Sequence, residues 1–174
     1  MTATGNRSGR QEGQPLHVVM YQPEIPQNTG NIGRTCVAIG AKLWIVRPFA
    51  FQLDSAHIRR SGLDYWHLLT LEVVDDWAEL LKRLAGHNLW LVTKFGKQSY
   101  FDARFAHGDV LVIGQESGGL PQSIRRSFPE RQIMVPMPGE VRCLNQATCT
   151  GIVMLEAARQ IGLLDGVAPC PEAI

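Results

Sequence analysis

Cysteine is scarce in this sequence, and its spacing argues against two common classes of small protein. The 174 residues include four cysteines, Cys36, Cys143, Cys149 and Cys170. They form no CxxC pair, and no Cys/His cluster has the spacing of a zinc site. A disulfide scaffold is therefore disfavoured and no metal is expected. We expect reduced thiols in a reducing compartment such as the cytoplasm.

Long apolar runs are missing as well. No stretch approaches the roughly 18 apolar residues that a membrane-spanning helix needs. The polar first residues, 1–15, do not contain the apolar core of a signal peptide. The sequence therefore predicts a cytoplasmic protein that has no membrane partner.

The chain also has little net charge. Its 17 Lys and Arg against 16 Asp and Glu give a formal charge of +1. This balance weakens the case for a non-specific nucleic-acid binder, because such proteins carry a broad basic surface. A local basic patch, or a surface built by two copies of the chain, remains compatible with it.

The length corresponds to one domain. Composition predicts a flexible tail over residues 1–14, a single domain over 15–165 and an irregular tail over 166–174. Within the domain, strands are predicted at 16–21, 43–46, 67–73, 89–93, 109–113 and 132–135. Helices are predicted at 29–39, 76–85, 121–128 and 146–161. Apolar strands alternating with helices indicate an α/β fold, a parallel sheet with helices on both faces.

Ligands of such sheets bind beyond the carboxyl ends of the strands, and three loops in those places carry candidate chemistry. The first runs from Pro23 to Arg34 and reads PEIPQNTGNIGR. Asn28 is a good helix N-cap, and amides at a helix start hold anions such as an RNA phosphate. Arg34 follows within two turns. The alternative is a capped helix with a surface arginine.

The second loop, GQESGGLP over residues 114–121, contains glycines that let the backbone approach a ligand. It matches neither a P-loop nor the GxGxxG fingerprint. It is no nucleophile elbow either, because Gln115 stands where Ser117 would need a glycine. The alternative is a simple helix-entry turn, with Pro121 in the first turn of the helix.

The third loop, VPMPGEVRCLN over residues 135–145, is extended by two prolines. Asn145 can cap the last helix. In that helix Ile152, Leu155, Ala158 and Ile161 form an apolar stripe. The alternative is a plain connection with Arg142 in solvent.

The three loops in this order resemble the SPOUT-class, TrmH-like RNA 2′-O-methyltransferases. The resemblance is nearest to their TrmL (YibK) subfamily, which acts on the wobble ribose of tRNA. It covers about residues 16 to 163 and includes the stretch IRRSGLDYW at 58–66. The chain departs from the subfamily pattern at Gly118, Cys143, Gln146-Ala147 and Leu155.

This resemblance implies a C-terminal trefoil knot and S-adenosylmethionine bound among the knot loops. The residues at the matching cofactor positions are Val92, Gly114, Glu116, Val135, Met137, Cys143 and Leu144. The catalytic candidates are Arg34 and Asn28. Because arginine stays charged, we expect Arg34 to stabilise the developing alkoxide and to grip a phosphate.

The resemblance also implies a partner RNA and a homodimer with the last helix near its interface. The candidate RNA contacts are Arg59, Arg60, Lys94 and Arg142. Further candidates for phosphate contacts are Lys97, Arg125 and Arg126. For each of them a solvated surface is the alternative.

The implied activity is 2′-O-methylation of the wobble nucleotide, cytidine or uridine 34, in the anticodon stem-loop of a tRNA. One alternative is a ribosomal-RNA ribose methyltransferase, because related enzymes share the three motifs. Another is a catalytically silent RNA-binding or ribosome-assembly factor on the same fold.

Overall fold

The computed structural model describes residues 13–53, 65–141 and 143–168, and a seven-stranded sheet forms its centre. The strands are β1 (His17–Tyr21), β2 (Lys42–Val46), β3 (Leu71–Val74), β4 (Leu89–Val92), β5 (Gln98–Ser99), β6 (Val110–Ile113) and β7 (Gln132–Met134). Their order is β3-β2-β1-β6-β4-β7-β5, and every neighbouring pair is parallel. The predicted α/β class is confirmed.

The apolar runs form the middle of this sheet because both of its faces are covered. In β1, Val18 pairs with Leu43 on one side and with Leu111 on the other. Side chains alternate along each strand. Leu111 thus packs into the core on one face, while Val110 and Val112 pack into the core on the opposite face.

Among the described residues, four α-helices supply the two covering layers. They are α1 (Pro26–Ile39), α2 (Trp77–Arg83), α3 (Gln122–Ser127) and α4 (Gln146–Gln160). Ile32 of α1 and Val153 and Met154 of α4 are buried against one face. Leu80 of α2 and Ile124 of α3 are buried against the other. The result is a three-layer sandwich.

One predicted strand was partly wrong, and one strand of the sheet was not predicted. The strand predicted at 67–73 is a 3-10 helix over Trp66–Leu68 followed by β3. The ring of Trp66 packs on α1, where a Cβ at Gly33 would lie 3.0 Å from it. That contact fixes the segment as a helical turn. β5 was not predicted, because two polar residues carry no periodicity.

The observed helix starts also correct the helix caps predicted from the sequence. α1 begins at Pro26, with Ile25 as its N-cap, so the predicted cap at Asn28 is wrong. Proline suits the first helical position, since its φ is preset and no N–H is needed there. Pro121 takes the N-cap position of α3 instead of its first turn. Asn145 caps α4 as predicted.

The apolar stripe predicted in α4 only partly faces the core. The buried face is made by Thr150, Val153, Met154, Ala157 and Ala158. Leu155 is instead 50% exposed. The stripe therefore leaves an apolar edge outside the core of one chain.

Because the strands are parallel, their carboxyl ends share one edge of the sheet. The three loops singled out in the sequence follow β1, β6 and β7 at that edge. Within the described ranges, no helix has both the length and the apolar character needed to cross a membrane.

Candidate active site

The carboxylate of Glu116, in the second loop, holds the first loop. Its Oε2 accepts the N–H of Glu24 at 2.8 Å. Its Oε1 accepts the N–H of Ile25 at 3.4 Å and the side-chain amide of Asn28 at 3.2 Å. These donors surround the start of α1, where an anion such as an RNA phosphate was expected. At the amides of Glu24 and Ile25, just before the first turn of α1, a carboxylate of the protein takes that place.

Asn28 links all three loops through its side-chain amide. It is 4% exposed. Its Nδ2 donates to Glu116, and its Oδ1 accepts a hydrogen bond of 3.0 Å from Nδ2 of Asn145. Asn145 in turn caps α4, accepting the N–H groups of Ala147 and Thr148 at 2.9 and 3.2 Å. With both ends of its amide engaged, Asn28 is suited to position the loops.

Glu24, in the first loop, is hydrogen-bonded to the second loop. Its carboxylate accepts the N–H and the hydroxyl of Ser117, both at 2.8 Å. The backbone hydrogen bond from Ser117, followed by the hydroxyl, lowers the pKa of Glu24 below its ordinary value. Sequence reasoning missed this residue because its partner lies 93 positions away.

The second loop folds back on itself. Gln115 and Gly119 exchange two backbone hydrogen bonds, of 3.1 and 2.9 Å. A Cβ at Gly114 would lie 2.2 Å from the carbonyl carbon of Gly119 and 2.3 Å from the nitrogen of Leu120. Gly114 is thus required for the loop to close. The sequence attributed this glycine to contact with a ligand.

A cavity of about 390 Å³ opens between these loops and the end of β4. Its size is in the usual range for small-molecule sites. All the residues predicted to bind the cofactor line it, namely Val92, Gly114, Glu116, Val135, Met137, Cys143 and Leu144. The loops that the sequence singled out therefore enclose one common site.

The lining suits a ligand with both apolar and polar parts. Apolar side chains of Val92, Val135 and Leu144 provide walls, and the backbone around Gly114 provides polar groups. The amide of Gln146 donates to the Gly114 carbonyl at 2.7 Å and so fixes that side of the cavity. In the described part of the chain, no three His, Cys, Asp or Glu side chains cluster as metal ligands.

Arg34 lies apart from this cavity. It is exposed on α1, and its guanidinium carbon is 5.4 Å from the centroid of the exposed Tyr65 ring. It does not contribute to the lining, whereas Asn28 does. One chain thus does not bring the two catalytic candidates together around the cavity.

Of the predicted RNA contacts, Lys94 lines the cavity mouth. Arg59, Arg60 and Arg142 lie outside the described residues. Several lining residues were not singled out from the sequence. They are Ile25, Thr93, Phe95, Ile113, Leu120, Cys149 and Thr150. Their signal was their position beside the three loops or at the ends of β4 and β6.

The sequence has relatives of described function. A model of the SpoU rRNA methylase family matches residues 15–155. A tRNA (cytidine(34)-2′-O)-methyltransferase from Methylovorus glucosotrophus is 39% identical over 144 residues, covering 82% of this chain and 94% of the relative. One from Aeromonas hydrophila is 36% identical over 148 residues, covering 84% and 95%.

Solved structures share the fold. One, described as giving structural insights into the 2-OH methylation of C/U34 on tRNA, has a TM-score of 0.80 and 44% identity. It covers 83% of this chain and 95% of its own. The SpoU methyltransferase AviRb from Streptomyces viridochromogenes, in complex with the cofactor AdoMet, has a TM-score of 0.73 and 28% identity, covering 84% and 60%.

Proposed function

This chain belongs to the SpoU rRNA methylase family, and from that premise we propose that it methylates the wobble ribose of a tRNA. The resemblance found in its three loops is thereby confirmed, and the chain is a methyltransferase. Family membership also implies the trefoil knot in the C-terminal part of the sheet. The observation that carries the tRNA proposal is its likeness, over most of its length, to enzymes named for cytidine 34 of tRNA.

The proposed methyl donor is S-adenosylmethionine, held in the cavity of the three loops. The AdoMet complex of a structural neighbour supports this choice, and so do the apolar walls and the glycine backbone of the cavity. Val92, Val135 and Leu144 would pack against the adenine, with loop amides and carbonyls reading its edge. The bound cofactor supplies a methyl group already activated on a sulfonium, so the protein mainly has to orient the acceptor.

Glu116 and Asn28 are proposed to act through position. Their hydrogen bonds join the loop that begins α1, the glycine loop and the cap of α4. This arrangement fixes the walls of the cavity relative to one another. Holding reacting groups in one geometry removes entropy from the barrier, so such positioning matters for rate.

Arg34 is proposed to meet the reacting ribose. Its guanidinium is exposed and has no carboxylate within ion-pair distance among the described residues. A free, planar cation can stabilise the developing 2′-alkoxide and grip the adjacent phosphate. We assign it this electrostatic role because it stays charged and cannot act as a base.

The proposed working unit is a homodimer. α4 exposes Leu155, and beyond the helix Leu164 and Val167 are 40% and 66% exposed. Arg34 is absent from the lining of the cavity in its own chain. A second copy would cover the apolar edge and bring an Arg34 to the neighbouring cavity.

RNA would reach the site over basic side chains. The proposed phosphate contacts are Lys94, at the cavity mouth, and three residues taken from the sequence, Arg59, Arg60 and Arg142. We place the protein in the cytoplasm, in keeping with this substrate. The free thiols of Cys36, Cys143 and Cys149 support a reducing compartment.

The proposal is tested with purified protein, labelled S-adenosylmethionine and two substrates, bulk tRNA and ribosomal RNA. Methyl incorporation into tRNA, mapped by mass spectrometry to the ribose of the wobble nucleotide, is the expected result. Incorporation into ribosomal RNA alone would favour the rRNA alternative. Absence of both cofactor binding and methyl transfer would favour a silent RNA-binding factor.

A further inference from the structure

A large aromatic side chain stands in solvent at the mouth of the cavity. Phe95 follows β4, is 54% exposed, and lines the cavity together with Lys94. A single exposed apolar residue needs no explanation. Phe95 differs from an ordinary exposed apolar residue in two respects, the turn that holds it and the cations near it.

The turn holds the ring in place. The N–H of Gly96 donates to the Thr93 carbonyl at 3.1 Å, and the N–H of Phe95 donates to the Thr93 hydroxyl at 3.3 Å. Gly96 is pressed against β7, because a Cβ there would lie 2.5 Å from the carbonyl carbon of Ile133. The backbone beside Phe95 is therefore packed closely against the sheet.

Two cations contact the ring. The guanidinium carbon of Arg125 is 4.2 Å from the ring centroid, and Nζ of Lys94 is 5.3 Å from it. Arg125 is itself fixed, since its Nε donates to the carbonyl of Leu120 at 3.1 Å. A cation–π contact of this kind places the cation over one face of the ring, and Phe95 as a residue stays 54% exposed.

Two more cations follow these in the sequence, although the whole chain is nearly neutral. Lys97 lies two residues after Phe95, and Arg126 is next to Arg125 on α3. Within the described ranges, no carboxylate lies within 4.0 Å of the side-chain nitrogens of Lys94, Lys97, Arg125 or Arg126. By contrast, Lys42 of β2 and Arg83 of α2 are both paired with Glu72.

We propose that this Phe95 surface, made of Phe95, Lys94, Lys97, Arg125 and Arg126, binds the single-stranded part of the RNA substrate. Phe95 stacks on one unpaired base while the cations hold the neighbouring phosphates. Proteins read unpaired nucleotides by stacking them on aromatic side chains, and stacking tolerates any base. The inference rests on the proposed function, because the acceptor ribose must come to this cavity.

The test measures RNA affinity by fluorescence anisotropy in full-length protein. One probe is an unstructured, cytidine-rich RNA of about 12 nucleotides, within the usual site size for single strands. The other is a tRNA anticodon stem-loop. The variants are Phe95→Leu, which keeps an apolar side chain, and Phe95→Trp, which keeps an aromatic face. The matched control is Phe101→Leu, because Phe101 is 53% exposed and lies outside the cavity lining.

Phe95→Leu is expected to weaken the binding of both probes roughly tenfold, the effect of losing one stacked base. Phe95→Trp should bind within about twofold of the wild type, since tryptophan also stacks. Phe101→Leu should be unchanged. Salt titrations separate stacking from charge: Phe95→Leu should keep the salt slope, and Lys97→Ala should reduce it by about 0.7 to 0.9.

Three results would overturn the proposal. The first is an RNA affinity that Phe95→Leu leaves unchanged. The second is that Phe95→Leu lowers S-adenosylmethionine affinity in calorimetry while RNA binding stays intact, which would mean that the ring contacts the cofactor. The third is that Phe95→Leu changes the molecular mass measured by light scattering, which would mean that the ring lies in an interface between copies of the chain.

The two probes keep this inference separable from the tRNA assignment. If the wild type binds the short RNA but neither binds nor methylates the stem-loop, the tRNA proposal has failed. The comparison of Phe95→Leu with Phe95→Trp on the short RNA then still decides the stacking claim. If the wild type binds neither RNA, both proposals are overturned.

Discussion

At the scale of single residues, Arg34 and Glu116 have opposite environments. Arg34 is exposed and carries no ion pair with the described carboxylates. Glu116 uses both carboxylate oxygens within the protein, in three hydrogen bonds. A group that must meet substrate needs the first environment, and a group that must hold loops needs the second.

Arg34→Ala should lower turnover roughly a hundredfold or more, because a charge acting on the transition state is lost. Affinity for S-adenosylmethionine should barely change, since Arg34 lies outside the cavity lining. Arg34→Lys should recover little activity, because a point charge does not reproduce the planar fork.

Single-turnover methyl transfer to tRNA, with a calorimetric titration of the cofactor, measures both effects of Arg34. Arg104→Ala is the control, since Arg104 is also exposed but lies outside the three loops. Near-normal turnover in Arg34→Ala would make this residue an ordinary surface arginine.

Glu116→Gln should lower both stability and cofactor affinity. The Glu116 carboxylate accepts hydrogen bonds from Glu24, Ile25 and Asn28. In the glutamine variant an N–H₂ group replaces one of the two acceptor oxygens, so that at least one of these donors loses its acceptor. The loss matters most at Asn28, which is 4% exposed, because a buried donor left without an acceptor costs about 1–3 kcal/mol. Thermal unfolding and calorimetry should therefore both shift, while Glu130→Gln, at an exposed glutamate, should shift neither.

At the scale of elements, the sequence was informative where burial alone decides structure. The strands at β1, β2, β4 and β6 are short apolar runs, so their position followed from hydrophobicity. β5 has two polar residues and forms only by pairing with β7. The start of α1 was misplaced because Asn28 has the side chain of a cap, whereas its amide pairs with residues 88 and 117 positions away.

The candidate site was predictable to a similar degree. That the three loops meet follows from parallel strands sharing one edge, and the predicted cofactor residues do line one cavity. The two hydrogen bonds that Ser117 donates to Glu24 arise from tertiary contact alone. No local pattern announces such a contact.

Gly114→Ala should disturb the whole second loop. The added Cβ would collide with the backbone of Gly119 and Leu120, which is 2.2 to 2.3 Å away. Overpacking of this kind costs about 1–3 kcal/mol. Unfolding temperature and S-adenosylmethionine affinity should therefore fall together.

The control for Gly114→Ala is Gly139→Ala in the third loop. A Cβ there meets nothing within 4 Å, so neither quantity should change. If Gly114→Ala unfolds like the wild type and binds the cofactor normally, closure of the loop does not depend on this glycine.

At the scale of the whole molecule, the exposed edge of α4 argues for a second copy. Leu155→Lys should convert the proposed dimer to a monomer, because a charge would have to be buried in an apolar contact. Methyl transfer should fall with it, since Arg34 would no longer reach the neighbouring cavity. Multi-angle light scattering and an activity assay on the same sample measure both.

Ala78→Lys is the control, because Ala78 is also exposed on a helix but belongs to α2, which covers the opposite face of the sheet. A wild-type protein that is monomeric at micromolar concentration and fully active would contradict the composite site. A monomeric Leu155→Lys variant with full activity would contradict it equally.

The central claim is that this methyltransferase acts on the ribose of the wobble nucleotide of a tRNA. The most direct measurement incubates the purified protein with S-adenosylmethionine and unmodified tRNA, then maps ribose methylation by mass spectrometry of nuclease fragments. The account predicts a 2′-O-methyl group on cytidine or uridine 34, formed by the wild type and reduced roughly a hundredfold in Arg34→Ala. A methyl group on a base, at another nucleotide, or on ribosomal RNA alone would contradict it.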